Sequence, residues 1–146
     1  MARWTRLVGM MAALVAALGA VAVAADRIFT NPNAPLLGYV FWTTDLVPKE
    51  YGYHGPIHIL VGMDLTGILS GVVVDYDSEP YGYFSVQPPE FATQFTGKSV
   101  RAPFRVGGDV AAVSRATITI SSATRAIRDS ARTMAKQFLN PANLKP

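Results

Sequence analysis

The sequence predicts a small α+β domain, in which an antiparallel sheet packs against a C-terminal amphipathic helix, preceded by an N-terminal transmembrane or signal helix. Three observations predict this fold: an uncharged apolar run near the N-terminus, two β-rich segments joined by a glycine turn, and a helical periodicity after residue 123. The chain has 146 residues, and 50% of them are hydrophobic. It therefore has room for one domain with a real core, and a collagen-like, disordered or multi-pass membrane protein is excluded.

The N-terminal segment, residues 1–25, is typical of a signal peptide or a membrane anchor. Arg3 and Arg6 precede the uncharged run Leu7–Ala25, which ends in small residues that fit cleavage after Ala24 or Ala25. At about 1.5 Å per residue the same run spans roughly 30 Å of hydrocarbon, so an uncleaved anchor in the cytoplasmic membrane is the alternative. Both place the following domain outside the cytoplasm, in the periplasm if the cell has one.

Residues 26–37 form a linker without periodicity, residues 38–140 form the domain, and residues 141–146 form a tail. The aromatic and β-branched run Tyr39–Thr44 predicts a strand. Ile57–Met63 and Ile68–Asp75 predict a hairpin, because the residues between them end in Gly67. The remaining predictions are loops over Pro48–Pro56 and Glu79–Tyr83, a helical turn within Pro88–Phe95, a strand over Val100–Val106 and a chain break at Gly107–Gly108.

The C-terminal helix is predicted from Ala123, with Ser121 or Ser122 as its cap and Asn140-Pro141 as its end. Its apolar face carries Ile127, Ala131, Met134 and Phe138. Its basic face carries Arg125, Arg128, Arg132 and Lys136. This basic face is either solvated or docks onto an anionic lipid surface or an acidic partner.

Composition limits the chemistry. The absence of cysteine excludes disulfides, a thiolate nucleophile and cysteine-ligated zinc, iron–sulfur or c-type haem centres, so redox chemistry requires a bound cofactor. Without Arg3 and Arg6 the chain has 11 basic and 10 acidic residues, too even a balance for a nucleic-acid surface. The charges are unevenly spread: residues 26–98 hold 3 basic and 8 acidic side chains, and residues 99–146 hold 8 basic and 2 acidic ones.

A hydroxyl-rich segment, residues 113–124, precedes the predicted helix and allows two interpretations. In the first, backbone N–H groups at a helix N-terminus combine with Ser and Thr hydroxyls into an anion site. In the second, the segment is a strand with Thr117 and Thr119 outward and Ile118 and Ile120 inward, followed by an ordinary serine cap.

The run Ser114-Arg115-Ala116-Thr117-Ile118-Thr119 resembles the Ser-Gly-Ala-Thr-x-Thr motif of the FMN-binding domain of NosR, RnfG and NqrC. Further segments resemble the NosR-type branch in order, from about Gly38 to Leu139. They are Gly38–Phe41, Thr44-Asp45, Gly52–Ile57, Val61–Asp64 with Gly67-Ile68, and Glu79-Pro80.

The resemblance implies an extracytoplasmic FMN whose phosphate is joined to the Thr117 hydroxyl by a flavin transferase. It implies a cofactor site formed by Ser114, Arg115, Ala116, Thr117, Thr119 and Glu79, with Ser114 and the helix N-terminus at the phosphate. Gly55, Pro56, Glu79 and Tyr83 would lie beside the flavin. Tyr51, Tyr53 and Tyr81 lie in predicted loops where a flavin edge or a partner could use them.

Two positions depart from the family motif. Arg115 replaces its glycine, and Ala111 stands where an aspartate usually precedes the threonine. Arg115 reduces backbone freedom beside the acceptor, although it could pair with a phosphate or with a partner's carboxylate. Covalent FMN, non-covalent FMN and an empty domain therefore all stay open.

Other groupings have weaker support. His54 and His58 lack further histidine or cysteine partners for a metal site, and Asp75, Asp77 and Glu79 do not form a calcium loop. Ser114 lacks the Gly-x-Ser-x-Gly surroundings of a hydrolase nucleophile. We assign no catalytic and no metal-binding residue.

The expected function is electron relay by a membrane-tethered, extracytoplasmic FMN-binding-like domain, rather than a stand-alone enzyme. Its partners would be other subunits of a membrane redox complex, and the membrane itself through Leu7–Ala25, but not nucleic acid. The alternative is a flavin-free structural or assembly subunit that keeps the fold. A regulatory role is a third possibility.

Overall fold

The computed structural model describes residues 35–146. An antiparallel sheet has the order β1 (Gly38–Trp42), β2 (His58–Asp64) and β3 (Leu69–Tyr76). The helices are α1 (Thr43–Leu46), α2 (Gly82–Ser85), α3 (Pro89–Thr93) and α4 (Thr117–Phe138), followed by a 3-10 turn at Pro141–Asn143. The predicted α+β fold with a small antiparallel sheet and a C-terminal helix is confirmed. The predicted N-terminal helix lies outside the described residues.

The β2–β3 hairpin is confirmed, and its turn is held by one carboxylate. Asp64 Oδ1 accepts hydrogen bonds from the backbone N–H groups of Thr66 at 2.7 Å and Ile68 at 3.0 Å. Gly67 has a φ of +78°, a conformation that favours glycine. The turn therefore fixes the register that places Val61 opposite Val72.

The core lies between the sheet and α4. Alternate residues of β1 and β2 are buried, as strand geometry requires. On α4 the predicted apolar residues Ile127, Ala131 and Met134 are fully buried. Phe138 was predicted on the same face but is 44% exposed, and its ring packs 5.4 Å from that of Tyr39.

The predicted start of the C-terminal helix at Ala123 is wrong, because α4 begins at Thr117. The strand interpretation of Thr117–Ile120 is also wrong, because these residues form the first turn of α4. Thr119 is buried and Ile118 is 56% exposed, opposite to the outward Thr119 and inward Ile118 of a strand. Ile120 and Ala123 are both fully buried at helical spacing, so the apolar face of α4 continues into the β-branched run. Packing on that face overrides the low helix propensity of the run.

The predicted strand over Val100–Val106 is wrong. Pro103 has no N–H to donate and Phe104 has a φ of +51°, so the segment turns instead of pairing. Two guanidinium nitrogens of Arg132 hold it against α4 by donating to the carbonyls of Val100 at 3.0 Å and Ala102 at 2.9 Å. The loop over Glu79–Tyr83 gives way to α2 at Gly82.

Two further predictions concern a strand and a helical turn. The strand predicted over Tyr39–Thr44 ends at Trp42, because α1 begins at Thr43, and the helical turn predicted within Pro88–Phe95 is confirmed as α3. Three side chains of the basic face of α4 have partners within the domain: Arg125 pairs with Glu50 at 2.7 Å, Arg128 pairs with Asp129 at 2.7 Å, and Arg132 donates to the two carbonyls named above. Between residues 35 and 146, none of the helices is both long and apolar enough to cross a membrane.

Candidate functional site

A cavity of about 350 Å³ lies where the first turn of α4 meets two loops of the chain. Consecutive residues of the hydroxyl-rich segment line this cavity, and three residues from the loops complete its wall. The lining residues are Tyr53, Pro80, Tyr81, Arg115, Ala116, Thr117, Ile118 and Thr119.

The helix side of the cavity presents free backbone donors. Ala116 takes the N-cap position of α4 and has no side chain that could accept a hydrogen bond. The first N–H bonded within the helix is that of Ile120, which donates to the carbonyl of Ala116 at 2.9 Å. Among residues 35–146, the N–H groups of Thr117, Ile118 and Thr119 have no acceptor. Such donors, with the helix dipole behind them, favour an anion.

Arg115 enters this wall with an unusual backbone. Its φ is +69°, in the left-handed region that costs a residue with a Cβ roughly 1–2 kcal/mol. The residue is exposed, and within residues 35–146 its guanidinium has no hydrogen-bond or ion-pair partner. Arg115 therefore keeps a glycine-like turn at the cavity and leaves a positive group available there.

The threonines of the first turn have different surroundings. Thr117 is exposed and lines the cavity, so its hydroxyl is accessible. Thr119 is buried, and its hydroxyl donates to Oε2 of Glu79, 40 residues earlier in the chain. Only Thr117 of this pair therefore combines a place at the cavity with a free hydroxyl.

Glu79 is 8% exposed, and its carboxylate joins three separate parts of the chain. Besides the bond from Thr119, Oε2 accepts from the N–H of Tyr53 and Oε1 from the N–H of His54, both at 2.8 Å. Burial raises the pKa of Glu79, but the bonds from Thr119, His54 and Tyr53 and the charge of His54 outweigh it and leave the pKa below its usual value. The carboxylate is therefore ionised at neutral pH.

Gly52 allows the loop to approach this carboxylate. A Cβ added at Gly52 would lie 2.5 Å from Oε1 and 2.7 Å from Cδ of Glu79. The N–H of Gly52 donates to the carbonyl of Gly55 at 2.7 Å, which turns the chain so that the next two N–H groups face Glu79. A side chain at position 52 would separate the loop from Glu79.

Four of the predicted site residues, Arg115, Ala116, Thr117 and Thr119, lie together in the cavity wall. Ser114 is exposed and outside the wall, and Glu79 lies behind the wall through its bond to Thr119. Gly55, Pro56, Tyr51 and Tyr83 are also outside it, while Tyr53 and Tyr81 are part of it. Sequence reasoning missed the part played by Gly52, since nothing local marks a contact with a residue 27 positions away.

The two histidine side chains and Asp77 contact neighbouring residues of the fold. The His58 ring packs edge-on against Tyr76 at 5.8 Å, and the His54 ring stacks on Tyr53 at 5.3 Å. Asp77 accepts from the N–H of Glu79 at 3.0 Å. Across the described part of the chain, no three histidine, aspartate or glutamate side chains are grouped closely enough to hold a metal ion.

The chain belongs to the FMN-binding domain family, because the family model described as FMN-binding domain matches residues 52–132. This match begins at Gly52 and includes Glu79 and the whole first turn of α4. It confirms the resemblance to the family, whereas likeness to the NosR-type branch stays a prediction. No curated protein matches the chain.

The residues of the cavity fit the chemistry of FMN. Its volume of about 350 Å³ lies in the range of small-molecule sites. The unpaired N–H groups of α4 and the guanidinium of Arg115 suit a phosphate, and the rings of Tyr53 and Tyr81 offer aromatic surface to a flavin. The family and the donor set agree on flavin binding.

Proposed function

We propose that this chain binds FMN in the cavity at the start of α4 and relays electrons within a membrane redox complex outside the cytoplasm. The observation that carries the proposal is the position of the Arg115–Thr119 run, which forms the cavity wall at an uncapped helix N-terminus. FMN supplies reversible one-electron and two-electron chemistry when it is bound.

The proposed attachment point is Thr117. Its hydroxyl is exposed at the cavity, whereas the hydroxyl of Thr119 already donates to Glu79. A phosphoester at Thr117 would place phosphate oxygens next to the free N–H groups at the start of α4, and Arg115 would contribute charge. A covalent tether would prevent loss of the flavin from an exported protein.

The residues around Thr117 would orient the cofactor. Tyr53 and Tyr81 come from two different loops and would contact the flavin ring, while Pro80 and Ile118 would exclude water from part of it. No residue of the wall needs to exchange a proton for the flavin to be held. The protein's part is binding, orientation and electrostatics.

Membrane tethering and complex formation are supported by the sequence. The run Leu7–Ala25 would anchor the domain or direct its export, and the chain has no cysteine that could hold a second redox centre. In this proposal the electron donor and acceptor belong to other subunits of the complex. The domain would lie on the outer side of the cytoplasmic membrane, or in the periplasm after cleavage.

A flavin-free structural subunit is the second candidate function. It is favoured by Arg115, which stands where the family has a glycine and carries the strained backbone of that turn, and by Ala111. In this alternative the fold persists because Glu79 and α4 still hold the domain together, and the surface binds other subunits.

Flavin transfer to the full chain tests the proposal. The chain is exported in a host that carries a flavin transferase, and denatured protein is examined on a gel for flavin fluorescence. We expect a fluorescent band for the unchanged chain and for Thr96→Val, an exposed threonine outside the cavity, but none for Thr117→Val. Fluorescence retained by Thr117→Val would contradict the attachment point. An unlabelled native chain that also fails to bind added FMN would support the structural subunit.

A further inference from the structure

Glu79 lies behind the cavity wall and bonds to the segments that form it. Its carboxylate holds the N–H of Tyr53 and the hydroxyl of Thr119, two of the residues that line the cavity. Two more, Pro80 and Tyr81, follow it directly in the chain. One side chain therefore fixes the loop, the turn before α2 and the first turn of α4 relative to one another.

Within the described part of the chain, the charge that opposes Glu79 is that of His54, which helps to lower the pKa of Glu79. Among residues 35–146, no lysine or arginine forms an ion pair with it, and its partners are N–H and O–H dipoles. Burial removes much of the water that would screen this charge, so its field extends into the adjacent cavity. Hydrogen bonding keeps the pKa low and the carboxylate negative at neutral pH.

We propose that Glu79 is a positioning residue that holds the cavity in its binding shape, and that its negative charge lowers the reduction potential of the flavin bound there. This inference rests on the proposed function. Flavin reduction takes up electrons and leaves the ring system more negative unless protons follow. A fixed negative charge behind the wall therefore disfavours the reduced form relative to the oxidised one.

The two parts of this role can be separated by substitution. Glu79→Gln keeps the length of the side chain and one oxygen acceptor, removes the charge, and replaces the second acceptor oxygen with an NH2 group that cannot accept from a backbone N–H. Glu79→Asp keeps the charge but shortens the side chain by one methylene and draws it away from Tyr53 and Thr119. Glu90→Gln removes an exposed carboxylate on α3 outside the cavity wall and is the matched control.

The experiment uses the full flavin-loaded chain, with dithionite as reductant and a reference dye to report the potential. We expect a more positive midpoint potential for Glu79→Gln and an unchanged one for Glu90→Gln. In the Thr117→Val background, where FMN is held without a covalent bond, Glu79→Asp is expected to bind added FMN at least several-fold more weakly with a smaller change in potential.

An unchanged midpoint potential in loaded Glu79→Gln would overturn the electrostatic role, and unchanged FMN affinity in Glu79→Asp would overturn the positioning role. If Glu79→Gln does not fold, Thr119→Val provides the second variant. It keeps the charge and removes one tether, so weaker FMN binding supports positioning and unchanged binding contradicts it. A native chain that carries no flavin and does not bind added FMN refutes the proposed function itself, and this result is seen before any variant is compared.

Discussion

Single residues at the start of α4 have distinct tasks although they are neighbours in sequence. Thr117 and Thr119 are two positions apart, yet one is exposed at the cavity and the other is buried against Glu79. The helix produces this difference, because positions two apart point about 200° away from each other around its axis. In a strand the two hydroxyls would have shared one face.

Substitution of Arg115 tests the free-energy cost of its left-handed backbone conformation. Replacing it with glycine removes a strain of about 1 kcal/mol but adds a similar entropy to the unfolded chain. We therefore predict that Arg115→Gly leaves the free energy of unfolding unchanged or raises it by up to about 1 kcal/mol. Urea denaturation measures this change.

Arg105→Gly is the control for this substitution, because Arg105 is exposed and its φ is not positive. Here only the entropy cost applies, so we expect a loss of about 0.5–1 kcal/mol. An equal loss at both positions would show that Arg115 carries no backbone strain.

Substitution of Gly52 tests whether the close approach of the loop to Glu79 stabilises the fold. We predict that Gly52→Ala lowers the free energy of unfolding by about 1–3 kcal/mol, because the new methyl group displaces the carboxylate from its N–H donors. Gly71→Ala is the matched control, since a Cβ there meets no atom within 4 Å. Similar losses for both variants in thermal or urea denaturation would contradict the role of Gly52.

At the scale of elements, carboxylates connect segments that have little regular structure. Asp64 closes the β2–β3 turn, Asp109 accepts from the N–H groups of Phe104 and Arg105, and Glu79 joins the loop to α4. In each case burial raises the pKa, but hydrogen bonds outweigh it and the pKa lies below its usual value. Each of these three carboxylates therefore holds a turn or loop that strand pairing does not hold.

The lowered pKa values predict an acid-sensitive fold. A carboxylate with a lower pKa in the folded than in the unfolded state stabilises the fold above its unfolded pKa, and this contribution is lost as the pH falls through the folded pKa. We expect the free energy of unfolding to be nearly constant between about pH 7 and 5 and to fall below about pH 4.

Glu79→Gln should lose part of this pH dependence, because the amide does not titrate. Glu90→Gln, which changes an exposed side chain, should keep it in full. Urea denaturation at a series of pH values measures the difference between the variants. Identical pH profiles for Glu79→Gln and the unchanged chain would show that Glu79 does not contribute to acid sensitivity.

For the whole molecule, the main helices and strands follow from periodic sequence patterns, whereas the candidate site depends on long-range contacts. The hairpin and the apolar face at Ile127, Ala131 and Met134 could be predicted because their signals are local. The start of α4 could not, since its β-branched residues favour a strand locally and become helical through packing against the core. The hydroxyl-rich segment is a candidate site in the sequence, but its helical geometry could not be predicted.

The remainder of the site depends on distances along the chain that a sequence pattern does not encode. Glu79 reaches Thr119 across 40 residues and Tyr53 across 26. Neither partner carries a charge that would have marked the pairing. Only folding brings these residues together, and family membership then points to flavin binding by the domain.

The intact mass of the full chain purified from its own membranes, with a visible spectrum of the same sample, tests the central claim most directly. We predict a mass increased by one FMN phosphoester together with the absorbance of a flavin, and loss of the mass increase in Thr117→Val. An unmodified mass without flavin absorbance, unchanged after addition of FMN, would contradict the account and leave a structural subunit with the fold of the family.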